Sequence, residues 1–447
     1  MMERGIRTIY RLTKRNFLNG ITIRNQQFLH INDKHRSIVT TTKATSYVTA
    51  PTKQDCIHEL GHDLYGEEHF ALAKSLKLFI EREIDPNIED WEEEGIWPGK
   101  TICKKMGEAG FLGLTKPVEY GGSGLDYTYS VVMAEETGNI RCGGIPMAIG
   151  VVTDMATPAL ANHGSDFVKR NFLQPTVEGN MLPCLGVSEP GAGSDVASIK
   201  TTATKNGDDY VINGSKLWIT NGTQADWMCL LANTDNTAPL HINKSLICLP
   251  MDTKGVVIEK KLDKIGMRSS DTAQIFFDNV RIPQNHIIGE EGKGFIYQME
   301  QFQEERIFCA ANVLKALDTC VHETIEYTRQ RQAYGKSILD NQYVQFRLAE
   351  LQTEIEALRA LTYRATKMYV NGHDVTNLAS MAKLKAGRLC REVTDSCLQF
   401  WGGMGYVNES DITRAHRDLR LVSIGGGADE VMLGIITKLM GMHTKQK

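Results

Sequence analysis

Two short runs constrain this chain more than anything else in it: Leu185-Gly186-Val187-Ser188-Glu189-Pro190-Gly191-Ala192-Gly193-Ser194-Asp195 and Trp218-Ile219-Thr220-Asn221-Gly222. The first opens as an apolar strand and then turns through Pro190, Gly191 and Gly193, which admit backbone conformations and close approaches denied to larger side chains. Backbone amides and the Ser188 and Ser194 hydroxyls are thereby offered to a ligand. The second run sets a large flat aromatic, Trp218, beside the hydroxyl of Thr220, a pairing suited to the face and edge of a planar heterocycle. Together the runs describe a flavin cradle, with Ser194 at the loop's far end in reach of a second ligand. A Rossmann-type dinucleotide site does not fit, because no G-x-G-x-x-G links a strand to a helix here.

The 447 residues leave room for about three domains, and 42% hydrophobic with 23% charged residues is ordinary for a soluble globular chain. No uninterrupted apolar run approaches 18 residues, so no membrane span is expected. Charge is placed unevenly. Residues 1–46 carry nine Lys/Arg against two acids, a charge of +7, which leaves −11 for the remainder of a chain whose net charge is −4. Spaced arginines, interleaved apolar residues and a Ser/Thr-rich stretch at 37–46 make residues 1–50 a mitochondrial transit peptide, with a disordered basic tail as the alternative, and give a matrix location. No secretory apolar core follows the basic residues, and the acidic remainder argues against nucleic acid as a partner. Ten scattered cysteines without a C-x-x-C read as reduced thiols.

The texture divides the rest of the chain in three. Helical spacing dominates residues 67–181, as in Phe70, Leu72, Leu76, Phe79 and Ile80. Short β-rich runs with turn signals at Asn206-Gly207-Asp208 and Asn213-Gly214 fill 182–288, as in a small barrel or sandwich. Long helices return over 289–447, where Phe295, Met299, Phe302, Cys309, Val313, Leu317 and Cys320 form one stripe, and breaks at Gly335 and Asn371-Gly372 suit an antiparallel bundle. The expected fold is therefore α+β and multidomain: a helical N-terminal domain, a middle β domain and a C-terminal four-helix bundle.

From about Glu67 to the C-terminus the chain resembles the acyl-CoA dehydrogenase family, whose first signature reads much like Val187 to Asp195. The resemblance implies FAD bound by Leu185, Gly186, Val187, Ser188, Gly193 and Ser194 together with Trp218, Ile219 and Thr220, and Ser194 also touching the CoA arm of a thioester. It further implies that Arg331 and Gln342 hold the FAD of a neighbouring subunit and that the run Gln399-Phe400-Trp401-Gly402-Gly403 is another contact to the adenine dinucleotide, with Ala428, Asp429 and Glu430 standing where Thr-x-Gln or Thr-x-Glu often occurs. A planar arginine fork suits a pyrophosphate. Contacts across subunits imply at least a dimer, and the family implies a homotetramer that passes electrons to an electron-transfer flavoprotein.

Oxidising a saturated acyl thioester requires a carboxylate at the α-carbon in a dry site, where desolvation makes it a stronger base. In the short- and medium-chain branches of the family that base is the Glu of a Tyr-Glu-Gly-Thr run following an Arg-Asp segment. Here Arg417-Asp418-Leu419-Arg420 leads instead to Gly425-Gly426-Gly427, and Gly426 occupies the glutamate's place. In the long-chain and isovaleryl branches the base precedes an arginine on the first long C-terminal helix, which puts Glu305 of Gln303-Glu304-Glu305-Arg306 in register. Glu304, about 100° away around the helix, is its rival, and Glu430 a weaker one. Gln303, Arg306, Gly426 and Gly427 are then expected against substrate. The runs around Arg306 and Ser423 to Glu430 are also similar to those of citronellyl-CoA dehydrogenases. The expected activity is α,β-dehydrogenation of an acyl-CoA to the trans-2-enoyl-CoA; an oxygen-using acyl-CoA oxidase and a flavin-binding relative without turnover are the alternatives.

His58-Glu59-Leu60-Gly61-His62 spells a zinc-protease pattern. Gly61 weakens the helix that such a site needs, so no metal is expected and the segment reads as a polar lead-in to the first helix.

Overall fold

A computed structural model describes residues 64–442. The basic segment, Cys56 and the His58–His62 pattern lie outside the described residues. The N-terminal part is helical: α1 (Glu67–Phe79), α2 (Ile88–Glu94), α3 (Gly99–Glu108), α4 (Tyr127–Thr137), α5 (Gly144–Gly150) and α6 (Pro158–His163), with a π turn at Val151–Met155 between the last two. Leu76, Phe79 and Ile80 of the expected period are buried with Trp97, Ile102 and Met106 and Leu72 packs against them, whereas Phe70, in the first turn, is exposed. His69 accepts a hydrogen bond from the Gly66 amide at 3.1 Å and stacks on Tyr129 at the start of α1. The stretch Gly144–His163 is long and apolar enough by length and composition to cross a membrane, and 94% of its most apolar 18-residue window is buried inside the protein.

The middle part is an eight-stranded sheet of β1 (Pro183–Gly186), β2 (Thr202–Asn206), β3 (Asp209–Thr220), β4 (Trp227–Asn233), β5 (Lys244–Pro250), β6 (Val256–Lys261), β7 (Thr272–Pro283) and β8 (Ile287–Ile288). Its order is β6-β7-β3-β2-β4-β5-β8, with β1 pairing parallel to β4. Asn206-Gly207 makes the β2–β3 turn as expected. Asn213-Gly214 does not turn. It lies inside β3 at a register shift, where a Cβ on residue 214 would stand 2.5 Å from the Thr201 hydroxyl; the glycine marks a bulge with a close neighbour.

The C-terminal bundle consists of α7 (Gly294–Gln330), α8 (Gln342–Val370), α9 (Thr376–Trp401), α10 (Asp411–Leu419) and α11 (Asp429–Leu439), with a small hairpin, β9 (Gln332–Ala333) and β10 (Lys336–Ser337), between α7 and α8. Cys309, Val313, Leu317 and Cys320 form the buried stripe of α7 as expected. In its first turns the expected stripe is displaced, because Phe295, Met299 and Phe302 are half-buried while Tyr297, Gln298, Gln301 and Glu305 are buried. A helix that turns its polar residues inward does so around a polar site.

Asp418, from the Arg-Asp segment, ties the three parts together. Its Oδ1 accepts the Met267 amide at 2.6 Å and its Oδ2 the Gly143 amide at 2.7 Å, so one carboxylate on α10 fixes a loop of the sheet and a loop of the N-terminal helices. Replacing Asp418 with Ala strands a buried donor at Met267 and a half-buried one at Gly143, at about 1–3 kcal/mol each. Denaturant titration of Asp418→Ala should therefore show a loss of roughly 2–6 kcal/mol, with Asp418→Asn, which keeps one acceptor, between it and wild type.

Candidate active site

The first run leaves β1 and turns at Glu189, whose amide and carbonyl pair with those of Ala192. A buried ion pair holds this turn. Lys216 of β3 is fully buried and donates to Glu189 Oε1 at 2.9 Å and to the Val187 carbonyl at 2.8 Å, while the Glu189 carboxylate also accepts the Lys200 and Thr201 amides. Burial raises the Glu189 carboxyl, but Lys216 and the amides outweigh it and hold the group below the usual carboxylate range. Burial likewise pushes the Lys216 ammonium down to about 8 against the pull of Glu189. The sequence reading missed this pair; a lysine in an inward register of β3 was its only signal.

The same strand delivers Trp218. The Leu217 amide donates to the Ser188 carbonyl at 2.9 Å, the register against β7 shifts between Leu217 and Ile219, and Trp218 between them adopts φ +66° with 62% of its surface exposed. An aromatic residue enters the left-handed region only when its surroundings enforce it, and such strain concentrates at ligand sites. Trp218, the half-buried Ser188 and Thr220, and the exposed Gly193 and Ser194 thus stand on the turn after β1 and the end of β3, which the Leu217–Ser188 hydrogen bond holds together. Two expected contacts turn the other way. Ile219 is buried in the sheet core, and Gly186 faces Met228, whose sulfur would lie 2.2 Å from a Cβ at 186. Neither offers a side chain to a ligand, although their backbone remains part of the strand.

On α7, Glu305 is 7% exposed and its Oε2 is buried without a hydrogen-bond partner. Burial pushes its carboxyl up to about 7, with Arg306 and Lys383 pulling the other way. Gly426 faces it: with φ +62°, a Cβ there would stand 3.2 Å from Glu305 Oε1, 3.5 Å from Cys309 Sγ and 3.8 Å from Lys383 Cε. Lys383, on the small-residue face of α9, is fully buried and donates to the Val422 carbonyl at 2.7 Å and to the Gly427 carbonyl, bracketing the glycine loop. Sequence reasoning missed it as well, although a lysine among Ala379, Ala382 and Ala386 was visible. Glu304, the rival, is engaged elsewhere by the Tyr369 hydroxyl at 2.5 Å.

Three other expected residues are occupied. Gln303 accepts the Val375 amide at 2.9 Å, and Arg306 places one nitrogen 3.5 Å from the Ser380 hydroxyl with its guanidinium over Phe302, so both brace α7 against the start of α9. Asp429 accepts from Arg391 at 3.0 Å, because α11 turns its first residue into the bundle; Ala428 precedes it as the cap and Glu430 is exposed. Arg331, Gln342, Gln399, Gly402 and Gly403 are exposed at the far end of the bundle. Phe400 meets Tyr343 there, and Trp401 stacks on Tyr327 at 4.2 Å. At 1.5 Å per residue this end lies about 39 Å along α7 from Glu305. Among the described residues no His/Cys/Asp/Glu group could hold a metal, and the nine described cysteines are free and buried.

Comparison with known proteins accounts for this arrangement. Family models described as acyl-CoA dehydrogenase N-terminal, middle and C-terminal domains match residues 66–180, 184–280 and 292–441. The chain belongs to the acyl-CoA dehydrogenase family. It is 35% identical over 377 residues to the mitochondrial long-chain specific acyl-CoA dehydrogenase of Sus scrofa, covering 84% of this chain and 87% of that one. It is 34% identical over 373 residues to the mitochondrial short-chain specific enzyme of Rattus norvegicus, covering 83% and 89%. The crystal structure of an acyl-CoA dehydrogenase from Geobacillus kaustophilus superposes with a TM-score of 0.82 at 38% identity, over 85% of this chain and all of that one. The expected fold, helical at both ends with a sheet domain between, is therefore that of the family, whose members are oxidoreductases with a flavin cofactor.

The raised Glu305 carboxyl has a consequence for stability. The native state holds this proton more tightly than the unfolded chain, so the contribution is present below about pH 4.5 and is lost as pH rises to about 7. Glu305→Gln does not titrate. Its unfolding free energy relative to wild type should climb across that window by about 3 kcal/mol, at about 1.4 kcal/mol per pKa unit; parallel curves would show that Glu305 titrates normally.

Proposed function

We propose that the protein catalyses FAD-dependent α,β-dehydrogenation of a saturated acyl-CoA to the trans-2-enoyl-CoA, with Glu305 as the base. The observation that carries this reading is a buried glutamate with one unpartnered oxygen, raised to about 7, facing a glycine in place of any second carboxylate. A base poised near neutral pH in a dry site suits removal of a weakly acidic α-proton.

The residues present fit the cofactor. The strained, exposed Trp218 offers a ring face beside the Ser188 and Thr220 hydroxyls, and Cβ atoms at Gly191 and Gly193 would meet nothing within 4 Å, leaving the loop open to approach. FAD, when bound, supplies the acceptor for the hydride that leaves the β-carbon. Leu185 to Ser188, Gly193, Ser194 and Trp218 to Thr220 would hold it, with Ser194 also meeting the CoA arm. Glu305 Oε2 takes the α-proton, and Arg306 and Lys383 stabilise the carboxylate that must exist beforehand. Lys383 also fixes the Gly426 and Gly427 loop that forms the floor beneath the acyl carbons. Arg331, Gln342 and the Gln399–Gly403 run stand too far along α7 to serve the same ring, which supports their assignment to the cofactor of a neighbouring subunit in a homotetramer. An electron-transfer flavoprotein as acceptor and a mitochondrial matrix location complete the reading; the mitochondrial relatives and the basic, arginine-spaced N-terminal segment support the location.

Anaerobic mixing with acyl-CoAs tests it. Wild type should lose its flavin absorbance and reoxidise slowly in air, whereas Glu305→Gln should keep its flavin content and reduce it about 10²–10⁴-fold more slowly. Rapid reoxidation by oxygen would make the protein an oxidase. Unchanged reduction by Glu305→Gln would remove the assigned base.

A further inference from the structure

The reaction leaves unused a second group of buried polar side chains beside the base. Asp154, on the π turn Val151–Met155, is 2% exposed. The Tyr127 hydroxyl lies 3.0 Å from its Oδ1 and 2.9 Å from the Glu304 carbonyl, and the Thr153 hydroxyl donates to its Oδ2 at 2.6 Å. Tyr127 thus links Asp154 directly to the turn of α7 that presents Glu305, Phe308 and Cys309. On its inner side the turn packs closely against the N-terminal helices. The Phe308 ring fills the position of a side chain at Gly150, where a Cβ would stand 2.4 Å from Cζ. Cys309 bridges the two groups, with its sulfur 3.5 Å from the Cβ position of Gly426 on one side and within the field of both Glu305 and Asp154. Beyond the group, Gln301, Glu304, Tyr369 and His163 line a polar cleft of about 230 Å³.

Thr153 serves one Asp154 oxygen and the single Tyr127 hydroxyl hydrogen is shared between the other and the Glu304 carbonyl, so each oxygen has a protein donor in reach. A methylene chain pushed into this group would have to break those hydrogen bonds without replacing them. We propose that Asp154, Tyr127 and the Phe308–Gly150 contact form a stop at the acyl end of the site, so that the enzyme takes compact acyl groups, short or branched near the thioester, and excludes long straight chains. This rests on the acyl-CoA reading above and narrows it. Burial, which holds the Asp154 carboxyl up at about 6, agrees with a position screened from water.

The test is kcat/KM of the holoenzyme against straight acyl-CoAs from about four to sixteen carbons and against C3-branched ones, for wild type, Asp154→Ala and the near-isosteric Asp154→Asn. Wild type should fall at least about tenfold between short and long chains. Asp154→Ala should shift the long-to-short ratio about tenfold or more towards long chains at unchanged flavin content, and Asp154→Asn should keep the wild-type profile. Equal wild-type activity on long and short chains overturns the stop, even if the alanine variant fails to fold. So does an unchanged ratio in a folded Asp154→Ala, or a preference for acyl groups ending in a hydroxyl or amine, which would make the group a recognition site. If no acyl-CoA reduces the wild-type flavin, it is the function itself that fails.

Discussion

The active site depends on a volume that can hold one carboxylate. Glu305 rises from α7 into it, and Gly426 borders it at a distance where even a Cβ would press on the glutamate's oxygen at 3.2 Å. The positive φ of Gly426, the glycines on either side and the Lys383 hydrogen bonds to Val422 and Gly427 all keep that loop low and bare. The proposed base is therefore carried by a long helix and not by a loop. Helix-borne groups are positioned more rigidly than loop-borne ones.

The cradle is organised by a different compromise. A buried Lys216–Glu189 pair carries a heavy desolvation cost, which its hydrogen bonds to Val187, Lys200 and Thr201 offset. What results is a rigid turn whose Ser188 carbonyl grips Leu217 and whose neighbour Trp218 is forced outward into strained backbone. Stability and preorganisation are traded at adjacent residues, since the pair that is costly to bury also makes the strain tolerable.

Much of this was legible in the sequence. The change from helical to alternating periodicity and back located the sheet, and the missing carboxylate at Gly426 directed attention to Glu305. The failures have physical causes. Asn213-Gly214 has the composition of a turn, but a bulge uses glycine for the same conformational freedom, and only the Thr201 contact distinguishes them. The stripe through Phe295 and Phe302 was taken as core because apolar residues normally are, whereas the first turns of α7 bury Gln298, Gln301 and Glu305 around the site. Lys216, Lys383 and Asp154 escaped notice because a charged residue in an inward register looks like noise until its partner, distant in sequence, is brought beside it. The Asp429–Arg391 contact was equally hidden, its partner lying on another helix.

The central claim is that one carboxylate, entering from α7, does the chemistry. It is tested most directly by moving it. The rate of anaerobic flavin reduction by a short acyl-CoA would be measured for Glu305→Gly, Gly426→Glu and the double variant. The account predicts that Glu305→Gly is nearly inactive, that Gly426→Glu alone is impaired by the crowding of two carboxylates, and that the double variant recovers part of the lost rate. Wild-type reduction by Glu305→Gly, or a folded and flavin-loaded double variant with no recovery at all, would contradict it.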